Sequence, residues 1–244
     1  MFRSILLVSL AAACSSTTPG AHPHDMSTAQ HEAAAQEHAG YAESHQGQYD
    51  SKARTETKRC RAKPTGCWTS VENPTAEHLR MADEHRRHAA DHRAASAALR
   101  DAEAAACVGI DPDDRDISPF ERVEDIVKVD PFEEERSVSA PSTGPARRTV
   151  GAIVLFRARP GMTTEWLQRV VDCHIARNAS LGHVVPEMPS CPLVPKGISA
   201  KVTSTGNGFA IAIRSDDPAV AREVLDRARR SLRRGEGAPM TSNN

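Results

Sequence analysis

The sequence is poor in aromatic residues and has no long apolar run, and both shortages limit what the chain can be. Phe, Trp and Tyr make up 4% of the 244 residues, whereas alanine is the commonest residue. Because alanine buries little surface, part of the chain must fold around a thin apolar core. No stretch reaches the ~18 consecutive apolar residues that a membrane-spanning helix needs, so we expect no ordinary transmembrane helix.

An excess of either charge is also lacking. Lys and Arg total 31 against 32 for Asp and Glu, which leaves a formal net charge of -1. Dedicated nucleic-acid binders are normally basic, so this balance argues against that class. The sequence also lacks the phosphate-binding loop, the serine-hydrolase elbow and the H-E-x-x-H zinc motif. We therefore predict a non-enzymatic protein that does not bind nucleic acid.

The N-terminus predicts export from the cell. Arg3 provides a basic start, residues 5–10 are mostly apolar, and Ala11-Ala12-Ala13 precedes Cys14. This layout is typical of a secretory signal peptide. The small residues before Cys14 resemble the lipobox of bacterial lipoproteins, although Ala11 stands where leucine is usual. An ordinary cleavage site after Ala13, with Cys14 as a plain thiol, is the alternative.

The lipobox resemblance implies a location and one partner. In this family the cysteine is acylated (palmitate is one of its acyl chains) and becomes the new N-terminus, so Cys14 would carry the lipid. Ser15 at the next position implies the outer membrane, with the protein facing the periplasm. Several acyl chains together form a stable anchor. The rest of the chain resembles only parts of bacterial lipoproteins to which no function is attached.

Export predicts disulfide bonds, because the compartment outside the cytoplasm is oxidising. Five cysteines remain after Cys14, and an odd number leaves at least one unpaired. Cys60 and Cys67 flank a turn signal, and Cys173 and Cys191 bracket a Pro-rich loop. We therefore expect these two pairs to be disulfides, with Cys107 left over. The alternative for the second pair is a zinc site completed by His174 and His183. Its spacing matches no familiar zinc finger, so we favour the disulfide and a buried core histidine at position 174.

Composition shifts divide the chain into six parts. They are a signal peptide over residues 1–13, a lipidated tether over 14–26, a His-rich helical hairpin over 27–107, an acidic and Pro-rich connector over 108–148, an α+β domain over 149–234 and a disordered tail over 235–244.

The hairpin is predicted from its capping and stop signals. Ser27 and Gln30 fit a capping box, and Pro64 with Gly66 ends the first helix. Asn73-Pro74 begins the second helix, and Gly109 ends it. Each helix would run for roughly 30 to 35 residues, and the two would pair antiparallel.

The C-terminal part alternates strands and helices. Residues 150–156 predict a strand with both faces buried, Thr163 caps a helix, a hairpin turns at 206–208, and Asp217 begins the last helix. The order β-α-β-β-α predicts an α+β fold with helices on one face of an antiparallel sheet. It resembles a ferredoxin-like half-sandwich without its final strand. Residues 125–129 in the connector favour one short edge strand.

Histidines supply the one unusual pattern. They recur at intervals of seven in both predicted helices, and seven residues make two helical turns, so each set forms one stripe. The stripes correspond to many of the a positions of a poor coiled coil. The first set comprises His24, His31, His38 and His45, and the second comprises His78, His85 and His92 with His88 in addition.

Three interpretations of these stripes stay open. They are packing residues of the hairpin, ligands of a transition metal, or a pH sensor whose imidazoles repel one another once charged. If the hairpin turns near residue 68, His45 lies beside His88 and His92. That register predicts a three-imidazole site for zinc or copper, completed by Asp91 or water, with His85 and His88 as a further chelating pair.

The sequence as a whole favours an outer-membrane lipoprotein with a binding or structural role in the envelope. In the sharper form of this hypothesis the hairpin binds a metal. In the alternative, the α+β domain recognises another envelope protein and the hairpin is a spacer.

Overall fold

The computed structural model describes residues 26–61, 66–136 and 146–236, and these form an α+β fold as predicted. The predicted signal peptide, the predicted lipidation site Cys14, and His24 lie outside the described residues. The helices are α1 (Thr28–Gln48), α2 (Ala76–Ala106), α3 (Pro112–Asp116), α4 (Thr164–Ser180) and α5 (Pro218–Glu236). The strands are β1 (Thr55–Arg61), β2 (Gly66–Glu72), β3 (Ile126–Arg136), β4 (Ala146–Arg157), β5 (Ile198–Thr205) and β6 (Gly208–Ser215).

Helix α1 begins as predicted but ends well before the predicted position. The capping box is present, because Gln30 N–H donates to the Ser27 hydroxyl while Ser27 N–H donates to the Gln30 side chain. The helix ends at Gln48, so the prediction that it continues to Pro64 is wrong. Instead, β1 and β2 form an antiparallel ribbon in which Cys60 is bonded to Cys67. Threonine, valine and tryptophan favour strands, and the predicted disulfide fixes their register.

Helices α1 and α2 form the predicted antiparallel hairpin. Helix α2 begins at Ala76 rather than at Pro74, because Asn73 first closes a turn in which its side chain accepts from Thr75 N–H. Small residues make the contact between the two helices, and these are almost fully buried: Ala35, Ala42, Ala82 and Ala89.

The C-terminal domain is a four-stranded antiparallel sheet covered on one face by helices. The strand order is β3-β4-β6-β5, and the predicted edge strand is longer than expected, running over Ile126–Arg136. In β4 the side chains of one face are buried, whereas Ile153 and Leu155 on the other face are half-buried. The prediction that both faces are buried is therefore wrong. Helices α4 and α5 are amphipathic and cover only the first face, where Phe120 packs edge-on against Phe156.

A disulfide joins the hairpin to this domain. Cys107, at the C-terminal cap of α2, is bonded to Cys173 in α4, and Cys191 is a free, buried cysteine. The predicted Cys173–Cys191 bond is therefore wrong. At the same end of the hairpin, beside the start of α1, Gly182 has a φ of +68° and lies against Ser27, where a Cβ would come within 2.8 Å of the Ser27 nitrogen. Only glycine suits this close approach.

Candidate functional site: a histidine ladder in the helical hairpin

Six histidines meet in three pairs across the interface between α1 and α2. Within each pair the two Nδ1 atoms face each other at hydrogen-bond distance. The pairs are His31 with His92 at 2.9 Å, His38 with His85 at 3.0 Å and His45 with His78 at 3.2 Å. We call these six residues the histidine ladder.

The register of the ladder differs from the predicted one. His45 lies opposite His78, so the predicted cluster of His45 with His88 and His92 is not formed. The hairpin turns earlier than expected because α1 ends at Gln48 and the ribbon of β1 and β2 takes up the following residues. That shift moves every position of α2 relative to α1.

Alanine layers alternate with the histidine pairs. The register that pairs the histidines places Ala35 beside Ala89 and Ala42 beside Ala82, and all four are buried. Each buried alanine follows a ladder histidine by four residues, so the d positions of the heptad carry histidine and the a positions carry alanine, the reverse of the predicted assignment. Small residues at the a positions let the two helices approach closely, which leaves each imidazole facing its partner across the interface.

The imidazole rings continue from one pair to the next. His92 stacks on His38 with ring centres 5.6 Å apart, and His85 stacks on His45 at 5.5 Å. His88 lies beside the ladder, with its ring centre 5.1 Å from that of His38. Successive pairs are therefore in contact, and a change in the charge or position of one ring alters the surroundings of the next pair.

The facing Nδ1 atoms constrain the protonation of each pair. One Nδ1–H donates and the other Nδ1 accepts, so both imidazoles can be neutral or one can be charged. Two charged rings would place two donors against each other. Burial lowers the pKa of His38, and the neighbouring imidazoles lower it further. Burial also lowers the pKa of His92, and His31 adds to that effect.

Ion pairs and hydrogen bonds flank the ladder and hold the helices in register. Arg100 pairs with Glu32 near the start of α1, and Ser96 donates to the Thr28 carbonyl at 3.4 Å. Towards the ribbon, Arg86 donates to the Gln46 side chain at 2.7 Å. These contacts are exposed or half-buried, so their role is to fix register more than to add stability.

Two nitrogens at these distances also suit one metal ion. Ligands at about 2.0–2.1 Å from zinc that subtend about 90–103° lie some 2.9–3.2 Å apart. Imidazole suits zinc, copper and nickel. Within the described residues, no three or more His, Cys, Asp or Glu side chains converge on a common point that suits a metal. The arrangement therefore offers two-ligand sites, which water must complete.

The cysteine and histidine set of the C-terminal domain does not come together. Cys173 is consumed by its bond to Cys107, and the Cys191 thiol contacts the Ser118 hydroxyl, where burial raises its pKa to about 11. His174 is buried, and its Nε2–H is shared between the carbonyls of residues 114 and 117 at 2.9 and 3.1 Å. The prediction of a core histidine at position 174 is confirmed.

The sequence predicts His45, His85, His88 and His92 as candidate ligands but does not predict three ladder residues as ligands, namely His31, His38 and His78. The signal for these three was present, since they share the seven-residue spacing of the others. What the sequence did not give was the position of the turn, which decides the partner of each histidine.

Comparison with known proteins yields no matching family model, no matching curated protein and no matching solved structure. Across the described parts of the chain, no helix combines the length and apolar character needed to cross a membrane.

Proposed function

We propose that this chain is an exported, lipid-anchored binding protein without enzymatic activity, whose hairpin takes up transition-metal ions between paired imidazoles. The observation that supports the metal proposal is the repeated Nδ1–Nδ1 approach of 2.9 to 3.2 Å at three successive pairs. Packing alone requires no such approach, because an aliphatic residue at the same core position of the heptad fills the same space.

The pairs are prepared for a metal at neutral pH. An imidazole binds a metal only when it is neutral, and the lowered pKa values of His38 and His92 favour the neutral form of these rings. One ring of each pair is held by α1 and the other by α2, so the two side chains lose little conformational freedom when an ion binds. Zinc, copper or nickel would find two ligands in place and would complete its shell with water.

Acidic residues act on two histidines of the ladder. Glu37 and Asp91 act on His38 and His92 respectively, and each carboxylate favours positive charge at the neighbouring ring. A bound divalent ion would benefit from the same attraction. The ladder is thus flanked by charge of the sign that a cation requires.

Isothermal titration of the chain carrying Cys14→Ser, without acyl groups, tests the metal proposal. We expect uptake of Zn²⁺ or Cu²⁺ with a dissociation constant below about 100 μM. The double variant His45→Gln with His78→Gln removes both members of one pair and should abolish one site. The matched variant His45→Gln with His85→Gln removes the same number of imidazoles from two pairs and should abolish two sites.

Equal losses in the two double variants would overturn the paired sites, because independent imidazoles would lose capacity in proportion to their number. Uptake that depends on His88→Gln but on no ladder residue would overturn them as well. Circular dichroism of each variant confirms that the helices are retained.

The anchoring proposal rests on residues 1–15 and needs a separate test. Fractionation should find the native chain with the outer membrane, and mass spectrometry should find acyl chains on Cys14. Cys14→Ser should move the protein to the soluble periplasmic fraction. A soluble native chain with a free N-terminus at Cys14 would contradict the anchor.

A further inference from the structure

The ribbon of β1 and β2 exposes its side chains on both faces. Every described side chain of the two strands is exposed except that of Ser70, which is half-buried. Trp68 is 49% exposed and Val71 is 56% exposed, on opposite faces of the ribbon. A two-stranded ribbon with no buried face is marginally stable on its own.

A covalent bond holds this ribbon together. Cys60 and Cys67 are directly opposite in the strand register and form a disulfide. A disulfide stabilises a short loop by restricting its unfolded state. The disulfide therefore keeps the ribbon ordered although the ribbon contributes nothing to a core. What the disulfide preserves is the exposed surface of the ribbon.

The exposed surface combines an aromatic ring with positive charge. Arg59 lies directly opposite Trp68 in the strand register, so both are on one face of the ribbon. Lys58, the residue before Arg59, is on the other face. Residues 50–72, which include both strands, contain six Lys or Arg residues and three acidic residues, of which Glu72 pairs with Arg59 at 3.3 Å, so this segment has a net positive charge although the whole chain is close to neutral. Tryptophan prefers the interface between a bilayer and water, and clustered Lys and Arg are attracted to anionic lipids.

We propose that the ribbon of β1 and β2 is a docking arm for an anionic lipid bilayer. The ribbon exposes residues on both of its faces, so it suits the broad and deformable headgroup layer better than it suits an extended peptide that needs a groove. A second copy of the ribbon would be repelled by its like charge. Membrane binding commonly combines one lipid chain with a basic patch, and the ribbon supplies such a patch.

The ribbon lies at the opposite end of the hairpin from the tether. Helix α1 has 21 residues, so the ribbon begins about 32 Å along the hairpin from Ser27. A lipid at Cys14 and the ribbon would therefore act as two separated contacts. The docking proposal does not depend on the lipid or on metal uptake, because the ribbon carries its own charge and aromatic ring.

Vesicle co-sedimentation of the full chain carrying Cys14→Ser, with a metal chelator present, tests the proposal. We expect binding to vesicles containing phosphatidylglycerol, no binding to pure phosphatidylcholine vesicles, and release at high salt. Trp68→Ala should weaken the partition coefficient about tenfold, and Lys58→Gln with Arg59→Gln about as much.

A matched variant on another exposed surface serves as the control. Arg229 and Arg233 are exposed on α5, and Arg229→Gln with Arg233→Gln removes the same charge. This variant should bind vesicles as the parent does. With Trp166→Phe in the background, Trp68 is the sole tryptophan, and its emission should shift to shorter wavelength on anionic vesicles.

Three results would overturn the proposal: equal binding to neutral and anionic vesicles, equal loss in the α5 control, or an unchanged Trp68 emission. Binding to poly-glutamate without binding to vesicles would also overturn it and would indicate an acidic polypeptide as the partner. Because the chelator removes metal from every arm, failure here leaves the metal proposal unaffected.

Discussion

The Nδ1 atoms of His38 and His85 lie 3.0 Å apart at the middle of the hairpin, with His92 stacked on His38 and His45 stacked on His85. This pair is therefore enclosed by imidazoles on both sides along the ladder. One proton between the two Nδ1 atoms joins the helices, whereas a second proton separates them. The hairpin thus depends on the protonation of its own interface.

Acid should destabilise the hairpin. The folded state lowers the pKa of His38 and His92, so below the ordinary value near 6.5 the unfolded chain binds more protons than the folded one. The free energy of unfolding is therefore at its full value above about pH 6.5 and falls as the pH drops through the lowered pKa values of His38 and His92. Glu37 and Asp91 oppose this lowering of the pKa. Urea unfolding followed by helicity should show a lower midpoint at pH 5 than at pH 7.5.

A non-titrating pair provides the control for this pH effect. His38→Gln with His85→Gln keeps a hydrogen-bonding pair but removes two of the ionisable groups, so the midpoint should depend less on pH. A midpoint with the same pH dependence in parent and variant would show that the ladder does not cause it.

Enlarging a small interface residue should separate the helices. Ala82 is fully buried between α1 and α2, so Ala82→Leu overpacks the interface and should cost about 1–3 kcal/mol of unfolding free energy. Ala90→Leu, at an exposed position of α2, adds the same atoms in solvent and should change stability by less than about 0.5 kcal/mol. Denaturant titration measures both, and equal costs would contradict the close contact at Ala82.

The two disulfides should differ in their effect on global stability. Cys107 and Cys173 are 66 residues apart in sequence, whereas Cys60 and Cys67 are separated by 7. Replacing the first pair with serine should cost about 2–4 kcal/mol, because a long loop is released in the unfolded state. Replacing the second pair should loosen the exposed ribbon and leave the main thermal transition within about 2 °C of the parent. The reverse order in a calorimetric scan would contradict this assignment.

Gly182 should tolerate no side chain. Gly182→Ala combines a left-handed backbone with a Cβ 2.8 Å from the Ser27 nitrogen, so it should destabilise by more than about 1 kcal/mol. Gly161 also has a positive φ, of +83°, but nothing lies within 4 Å of its Cβ position. Gly161→Ala therefore carries the backbone strain alone, and the difference between the two variants in chemical denaturation measures the clash. Equal destabilisation would show that Ser27 does not pack there.

Local signals predicted much of the fold. The capping box at Ser27, the helix start at Thr163 and the hairpin over 206–208 are all present. Each depends on a few neighbouring residues, which is why single-sequence reasoning succeeds there. The seven-residue spacing likewise placed the histidines on one stripe of each helix.

Partner choice was not predictable, because it depends on distant parts of the chain. The three cross-helix histidine contacts all follow from where α1 ends, and that end is set by the strands of the ribbon. The sequence favoured Cys191 as the partner of Cys173, whereas the docking of α2 on α4 selects Cys107, which is more distant in sequence. A one-dimensional pattern fixes a stripe of residues, but only the packed helices decide which residue faces which.

The attachment of both hairpin ends to α4 has a mechanical consequence. The first turn of α1 contacts Ser180, and the last turn of α2 is bonded at Cys173 and paired with Arg177. Two attachments to one helix restrict bending at this junction more than a single attachment would. A displacement of the distant tip would therefore be transmitted to α4, and through α4 to the sheet on which it packs.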